Sequence, residues 1–299
     1  MTLHFFLYIF ITLLHSSSNH VHEFSPHLEF LKKLNGVKIG DNAKGVHELK
    51  IHLMNLGYLN YNSHSNNQTN KNKNAYDFSL ELALKKYQSF YDLNVTGVLD
   101  INTILKMQEP RCGIPDFYNT NESTFIYNTN ESTLFHVVSH YSFFRGRSRW
   151  RKRSLTYAFN INVKKKAKPP LERALKEWAD ATPFKFFHVK KFKKAHIQMS
   201  FLHGDHGDRL PFGTIKGGLA HAFGPNDGRI HFDADKKWAS NGDKNAYDIQ
   251  FIGLHELGHI LGLGHSRNEK AVMYPIVDLG ERKHLHEDDI NGVKALYKF

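Results

Sequence analysis

H-E-L-G-H-I-L-G-L-G-H, running from His255 to His265, is the stretch whose reading decides the fold. His255 and His259 are four residues apart, so on an α-helix their side chains stand one turn above the other and reach a single metal ion. Glu256 lies beside them. His265 can supply a third ligand only if the helix stops and the chain folds back. Gly262 suits that break, because glycine takes the left-handed conformation that closes helices at little steric cost. Three neutral imidazoles hold zinc and leave a fourth position, where bound water has its pKa lowered to about 7. A bare H-E-x-x-H reads equally well as an apolar helix with two incidental histidines. The extended spacing, with Met273 in A-V-M-Y-P following, argues against that reading.

The zinc helix changes what the sole cysteine means. Cys112 sits in P-R-C-G-I-P-D, Pro110 to Asp116, between two prolines that keep the backbone extended. With one cysteine no internal disulfide forms. A lone thiol is ordinarily a buried structural residue. Lying across the zinc site, its thiolate would fill the fourth position and exclude water.

Ahead of Cys112, helical periodicity recurs. Leu28, Leu31 and Leu34 mark one helix, Val46, Leu49, Leu53 and Leu56 a second ended by Gly57, and Leu80, Ala83, Leu84 and Tyr87 a third. A turn at Thr96 to Asp100 leads into a short fourth helix, Ile101 to Met107. An Asn-rich loop separates the second and third. At the N-terminus, Phe5 to Leu14 is apolar but too short to span a bilayer, and small polar residues follow it. It reads as a secretory signal peptide over residues 1–20.

Behind Cys112, Y-N-T-N-E-S-T at Tyr118 is repeated at Tyr127, a polar tandem duplication that reads as linker. Asn121 and Asn130 within it, and Asn67 and Asn94 upstream, are acceptor sequons for N-glycosylation. The run R-G-R-S-R-W-R-K-R, Arg145 to Arg153, is a candidate processing region, and its dibasic Lys152-Arg153 places the start of the processed chain near Ser154 or Leu155.

From there the pattern is mixed. Leu155 to Phe159 alternates like a strand, Pro169 to Thr182 is an amphipathic helix with proline at its start, and Phe184 to Val189 and Ala195 to Leu202 read as strands. His206, Asp208, His221 and His231 then offer three imidazoles and a carboxylate, a closed set suited to a structural zinc. In a chain with 21 histidines, plain surface positions describe them as well.

The net charge is +11 and much of it sits in local clusters: Arg145 to Arg153, Lys164 to Lys168 and Lys190 to Lys194. No basic face interleaved with aromatics for stacking bases is evident, which argues against nucleic acid. An anionic cell-wall or matrix polysaccharide fits the charge better.

Taken together these motifs resemble the matrixins, the matrix metalloproteinases among the metzincin zinc endopeptidases, and P-N-D-G-R-I-H-F-D at Pro225 resembles the plant type. The helical segment, with L-G-Y-L, A-L-K-K-Y-Q and V-T-G-V-L-D, resembles the peptidoglycan-binding-like fold that also forms matrixin propeptides. The implied fold class is α+β: a catalytic domain of mixed twisted sheet with long helices over 154–299, preceded by an all-α pro-domain over 21–116 and a linker over 117–153. The resemblance implies that His255, His259 and His265 bind catalytic zinc, that Glu256 is the general base, and that Met273 floors the metal. It implies that Cys112 closes the site in a latent precursor, braced by Arg111 and Asp116. Tyr274 to Ile276 would wall the pocket beyond the scissile bond. Leu219, Ala220 and Ala222 would belong to the edge strand on which an extended substrate lies. The second set would hold structural zinc.

One departure stands out. Positions that carry acids for structural calcium in the family are Gly213 and Lys236 here, which leaves Asp233 in a weakened site with Lys236 as a stand-in for the cation. The expectation is a monomeric, freely secreted endopeptidase without a membrane anchor, acting on extended protein or peptide substrates. The rival expectation is a protease-like protein that no longer cuts and serves as a glycan-binding module.

Overall fold

The computed structural model describes residues 25–60, 73–118, 140–215 and 218–299. The expected signal peptide, Asn67, Asn121, Asn130 and the tandem repeat beyond Tyr118 lie outside the described residues. Asn94 is exposed.

The N-terminal part is a helical bundle. Leu28, Leu31 and Leu34 recur every three residues, and the segment Pro26–Leu34 is accordingly a 3-10 helix, in which side chains three apart eclipse and all three leucines are buried. Helix α1 is Val46–Asn55, and Gly57 beyond it has φ of +85°. Helix α2, Phe78–Phe90, starts at Asp77, whose side chain accepts the Leu80 N–H; α3, Ile101–Gln108, starts at Asp100, which accepts the Thr103 N–H. Leu31, Leu49, Leu53, Leu80, Leu84 and Ile104 form the apolar centre. That centre continues through Tyr87, Phe90 and Tyr91 onto Tyr274 and Ile276 of the C-terminal half.

The C-terminal half is built on a five-stranded sheet: β1 Ser154–Phe159, β2 Lys185–His188, β3 Ile197–Leu202, β4 Ala220–Ala222 and β5 Arg229–Asp233. The order is β2-β1-β3-β5-β4, with β4 alone antiparallel and at an edge. A short parallel pair, β6 Trp238–Ala239 and β7 Tyr247–Asp248, follows. Helix α4, Lys168–Ala181, lays Leu171, Ala174, Leu175 and Trp178 against α5, Ile249–Ile260. The indole N–H of Trp178 donates to Leu254 O at 2.9 Å, so this large side chain is buried with its polar atom satisfied. Truncating such a residue to alanine typically costs about 3–5 kcal/mol.

Helix α5 is buried all round, which its sequence foretells by lacking a polar face. Asp248 caps its start through the Gln250 and Phe251 N–H groups. Its end is a left-handed turn: Gly262 has φ of +98°, and the Leu263 N–H reaches back to Gly258 O at 3.0 Å. A side chain at 262 would also meet Ser148 O. Helix α6, Glu287–Tyr297, closes the chain with a reciprocal cap between His286 and Asp289. No helix among the described residues is long and apolar enough to cross a membrane.

Within the stretch read as linker, residues 140–153 are bonded to the C-terminal half. Phe143 pairs with Leu263 as an antiparallel bridge, Phe144 N–H donates to Gly262 O, and Gly264 N–H donates to Ser142 O. Trp150 is buried in the same core as the sheet and donates its indole N–H to Ile260 O at 2.8 Å. The linker reading missed this because most of these bonds are main-chain bonds, which leave no residue signature.

Candidate active site and second metal centre

The histidine stretch folds as its spacing requires. His255 and His259 lie on one face of α5, and the glycine turn brings His265 back toward them. Each ring has its Nδ1 engaged: His255 donates to Val272 O at 2.7 Å, His259 to Leu263 O at 2.9 Å, and His265 to Asp116 Oδ1 at 2.7 Å. With the proton on Nδ1, each Nε2 carries a lone pair, and all three point to one place. Burial pulls the pKa of all three below the usual histidine value, His255 to about 3, so the rings are neutral.

Cys112 completes the group. Its Sγ is 3.5 Å from His259 Nε2, and His259 Nε2 is 3.1 Å from His255 Nε2. A tetrahedral zinc, with bonds of about 2.05 Å to nitrogen and about 2.3 Å to sulfur, holds its ligand atoms about 3.3–3.6 Å apart. Two lone pairs facing each other across 3.1 Å repel unless a cation lies between them. His265 Nε2 is likewise buried with no hydrogen-bond partner. The donor set therefore fits zinc. Burial and the charge of Glu256 push the Cys112 thiol well above its usual pKa, so a bound cation is what would hold it as thiolate. Glu256 is fully buried beside it, neither carboxylate oxygen has a hydrogen-bond partner, and burial pushes its pKa up to about 8.

The segment carrying Cys112 lies in a cleft as a third strand would. Leu219 N–H donates to Arg111 O and Gly113 N–H to Ala220 O on the β4 side. Cys112 N–H donates to Pro275 O and Val277 N–H to Pro110 O on the other. Arg111 is paired antiparallel with Ile276. Behind the segment, Arg111 forms two hydrogen bonds to Asp116, at 2.7 and 3.1 Å, and both side chains are buried. Met273 is fully buried beneath α5, against Gly258.

His206, Asp208, His221 and His231 also converge. Asp208 Oδ2 is 2.8 Å from His206 Nε2, 2.8 Å from His221 Nε2 and 2.7 Å from His231 Nδ1. His221 on β4 and His231 on β5 face each other in the antiparallel register. His206 Nδ1 donates to Gly204 O at 2.9 Å, which leaves Nε2 as the ring atom turned toward Asp208 and the two other imidazoles. Burial lowers His221 to about 4, and this set too fits a metal.

Asp233, Lys236 and Gly213 line one cavity of about 170 Å³ at the seam with the helical bundle. Burial raises the Asp233 carboxyl, and the Lys236 charge opposes that rise.

Several contributors escaped the sequence reading. Asp289, buried at the start of α6, accepts the Val272 and Met273 N–H groups at 2.9 and 3.0 Å and so holds the methionine turn. Ser142 Oγ–H donates to His265 O at 2.8 Å. Tyr118 packs at a tilt on Phe144 at 4.6 Å, Phe144 packs edgewise on His259 at 5.9 Å, and the Tyr118 hydroxyl is buried near Cys112 and Glu256. The acidic pair Asp288-Asp289 ahead of an amphipathic helix was the one available signal among these; a tyrosine in a polar repeat carried none.

Residues 149–298 match the Matrixin family profile, and residues 42–107 match that of the peptidoglycan binding domain. Metalloendoproteinase 1 of Glycine max is 38% identical over 270 residues, covering 86% of this chain and 83% of the relative. Metalloendoproteinase 1-MMP of Arabidopsis thaliana is 36% identical over 297 residues, 95% of this chain and 76% of the relative. Matrix metalloproteinase-20 of Homo sapiens is 35% identical over 227 residues, 72% of this chain and 41% of the relative. The chain belongs to the matrixin family: it is a zinc-dependent metalloendopeptidase whose catalytic domain is preceded by a helical domain of the peptidoglycan-binding type.

Proposed function

We propose that the protein is a secreted endopeptidase made as a latent precursor, acting on extended segments of matrix or cell-wall-associated proteins. The observation that carries this reading is the course of Pro110 to Gly113 between β4 and the 275–277 segment, with Cys112 beside three convergent imidazoles. A substrate would use the same main-chain donors and acceptors, Leu219 N–H, Ala220 O and Pro275 O, by strand addition.

His255, His259 and His265 would hold the zinc, which supplies Lewis-acid polarisation of the scissile carbonyl. Glu256 takes a proton from the attacking water and passes it to the leaving amine. Val272 O, Leu263 O and the methionine turn keep the rings aimed. While Cys112 occupies the cleft, water and substrate are excluded together. His206, Asp208, His221 and His231 would hold a second, structural zinc. Lys236 would replace a calcium beside Asp233; calcium density there in crystals grown with that ion would overturn this assignment.

A quenched-peptide assay tests the reading. The intact chain should be nearly silent, a thiol-reactive mercurial or limited proteolysis should switch it on, and a chelator should switch it off. Activity that survives chelation, or silence after activation, defeats it. Silence would favour the rival role as a glycan-binding module.

We place the activating cut before His140 rather than at Lys152-Arg153. Cutting after Arg153 would remove Trp150 from the core and strip the 140–144 strap from the turn that presents His265. N-terminal sequencing of the active form should give a first residue at or before His140. A start at Ser154 with full activity would refute this.

Acid should loosen latency. His52 of α1 is buried at the domain seam, donating from Nδ1 to Ile215 O at 3.3 Å while Nε2 has no partner. Burial lowers its pKa to about 4 from 6.5; Arg111 adds to this, while Ile215 O and Asp116 oppose it. Glu109, Asp233, Lys236 and His27 line the same cavity. The docked form thus binds fewer protons than an undocked one with an ordinary histidine. Docking is fully favoured above pH 6.5 and weakens as pH falls toward 4, by up to about 3 kcal/mol. The ratio of wild-type to His52→Asn labelling rates at Cys112 should rise as pH falls through that window. A flat ratio would sink the idea.

A further inference from the structure

The sheet edge opposite the cleft carries charge that the peptidase reaction does not use. Residues 151–171 and 181–204 contain no aspartate or glutamate. They supply β1, β2, β3 and the turns around them, and the register gathers their lysines: Lys185 sits opposite Ser154, and Val189, leading into Lys190 and Lys191, donates its N–H to Tyr157 O. Lys193 and Lys194 follow in a short turn, close to where Lys152 meets His196 at 3.0 Å. Lys164 to Lys166 extend the charge at the far end of β1. All of these lysines are exposed, and none makes an ion pair among the described residues. The acids on neighbouring α4 are already engaged: Glu172 with Tyr157, Glu177 with His284 and Asp180 with Lys176.

We infer that this β2 edge is a docking surface for a polyanionic polysaccharide bearing a carboxylate on successive sugars. The charge density suits a polymer with regularly spaced anions, which gains affinity by releasing the counterions of both surfaces. Phe187, 52% exposed at the middle of the edge, offers one apolar face to a sugar ring. The neighbouring Phe186 turns its ring onto Phe184, stacked at 6.3 Å, so there is no series of free aromatics of the kind that binds single-stranded nucleic acid. The helical domain matches a putative peptidoglycan binding domain, whose named ligand is also a glycan polymer. The geometry leaves catalysis free: β2 and β4 are the two ends of the five-strand order, so the surface lies about 19 Å across the sheet from the cleft. A polymer held there would tether the enzyme without obstructing it.

Binding of the full-length protein to polygalacturonate and to a neutral glucan, measured over a salt series, tests this. The variant Lys165→Gln/Lys166→Gln/Lys191→Gln/Lys193→Gln should bind polygalacturonate about tenfold or more weakly with a shallower salt dependence. A control with the same charge loss on the helical domain, Lys33→Gln/Lys38→Gln/Lys44→Gln/Lys86→Gln, should lose less than about threefold, which separates a surface from mere net charge. Hydrolysis of a short neutral peptide by the activated variant should match wild type. Equal losses in both variants, equal binding to the neutral glucan, or tighter patch-dependent binding to phosphatidylserine vesicles or RNA would each overturn the inference.

Discussion

Glu256→Gln should abolish turnover while leaving the metal in place. The substitution keeps the shape of a side chain that is fully buried, and it removes a carboxyl whose oxygens have no hydrogen-bond partner, so the fold loses nothing it depends on. The substitution leaves the Nδ1 bonds of His255 to Val272 O and of His259 to Leu263 O untouched, and in the uncut chain that of His265 to Asp116, so metal content should stay at the wild-type stoichiometry. What disappears is the group proposed to accept a proton from water and return it to the amine. Positioned acid-base groups contribute about 10²–10⁴-fold, and with both transfers lost kcat/KM should fall toward the upper end of that range, equivalent to about 5 kcal/mol of barrier. The loss should appear in kcat with KM little changed, because Glu256 makes no main-chain contact that would hold substrate. Peptide hydrolysis by the activated variant, alongside metal analysis, is the measurement. Activity within tenfold of wild type would remove Glu256 from the proposed role.

The zinc helix was legible because its information is carried by residue type and spacing: two histidines one turn apart, and a glycine where the chain must reverse. The meeting of Cys112 with the three imidazoles was legible for the same reason, since the flanking prolines and the downstream histidine spacing set this thiol apart from an ordinary buried cysteine. What escaped is held by the main chain. Val272 O and Leu263 O fix two of the three imidazoles, and any residue brings a carbonyl. The 140–144 strap reads as polar linker because its bonds to residues 262–267 are mostly backbone bonds. Strand β4 is three residues long and shows no alternation to detect, so only the resemblance placed it. His52 carries no signal within the pattern of α1, and its place at the seam, against Ile215, comes from the packing of the two halves. The pattern in the 26–34 segment was visible, but a three-residue repeat was read as a helix in general when it fits the 3-10 form in particular.

Asp116→Asn should turn the precursor into a leaky enzyme while leaving the processed enzyme unchanged. Asp116 is the hub that joins the switch segment to both halves. Oδ1 accepts from His265 Nδ1 and Arg111 Nη2, each at 2.7 Å, and Oδ2 accepts from Tyr58 OH at 2.8 Å and from Tyr91 OH and Arg111 Nη1, both at 3.1 Å. Burial alone would raise its pKa, but the Arg111 charge and the His265 bond outweigh that and hold the carboxyl well below the usual range. Neutralising it leaves the Arg111 guanidinium buried without a counter-charge, and asparagine accepts through only one of its two terminal atoms, so either the tyrosine hydroxyls or the His265 and Arg111 donors meet an NH2 in place of an acceptor. Breaking a buried pair from one side costs about 3–5 kcal/mol. Here the cost falls on the docked state, because an undocked Arg111 is free to hydrate. The undocking equilibrium should therefore shift by about 10²–10⁴-fold, seen as faster labelling of Cys112 and as peptidase activity in the uncut chain. With the proposed cut before His140, residue 116 would leave with the pro-segment, so the processed variant must match wild type in kcat/KM and Tm. A variant equally damaged after processing would show that Asp116 shapes folding of the catalytic half, and an uncut variant as silent as wild type would show that Cys112 alone keeps the cleft closed.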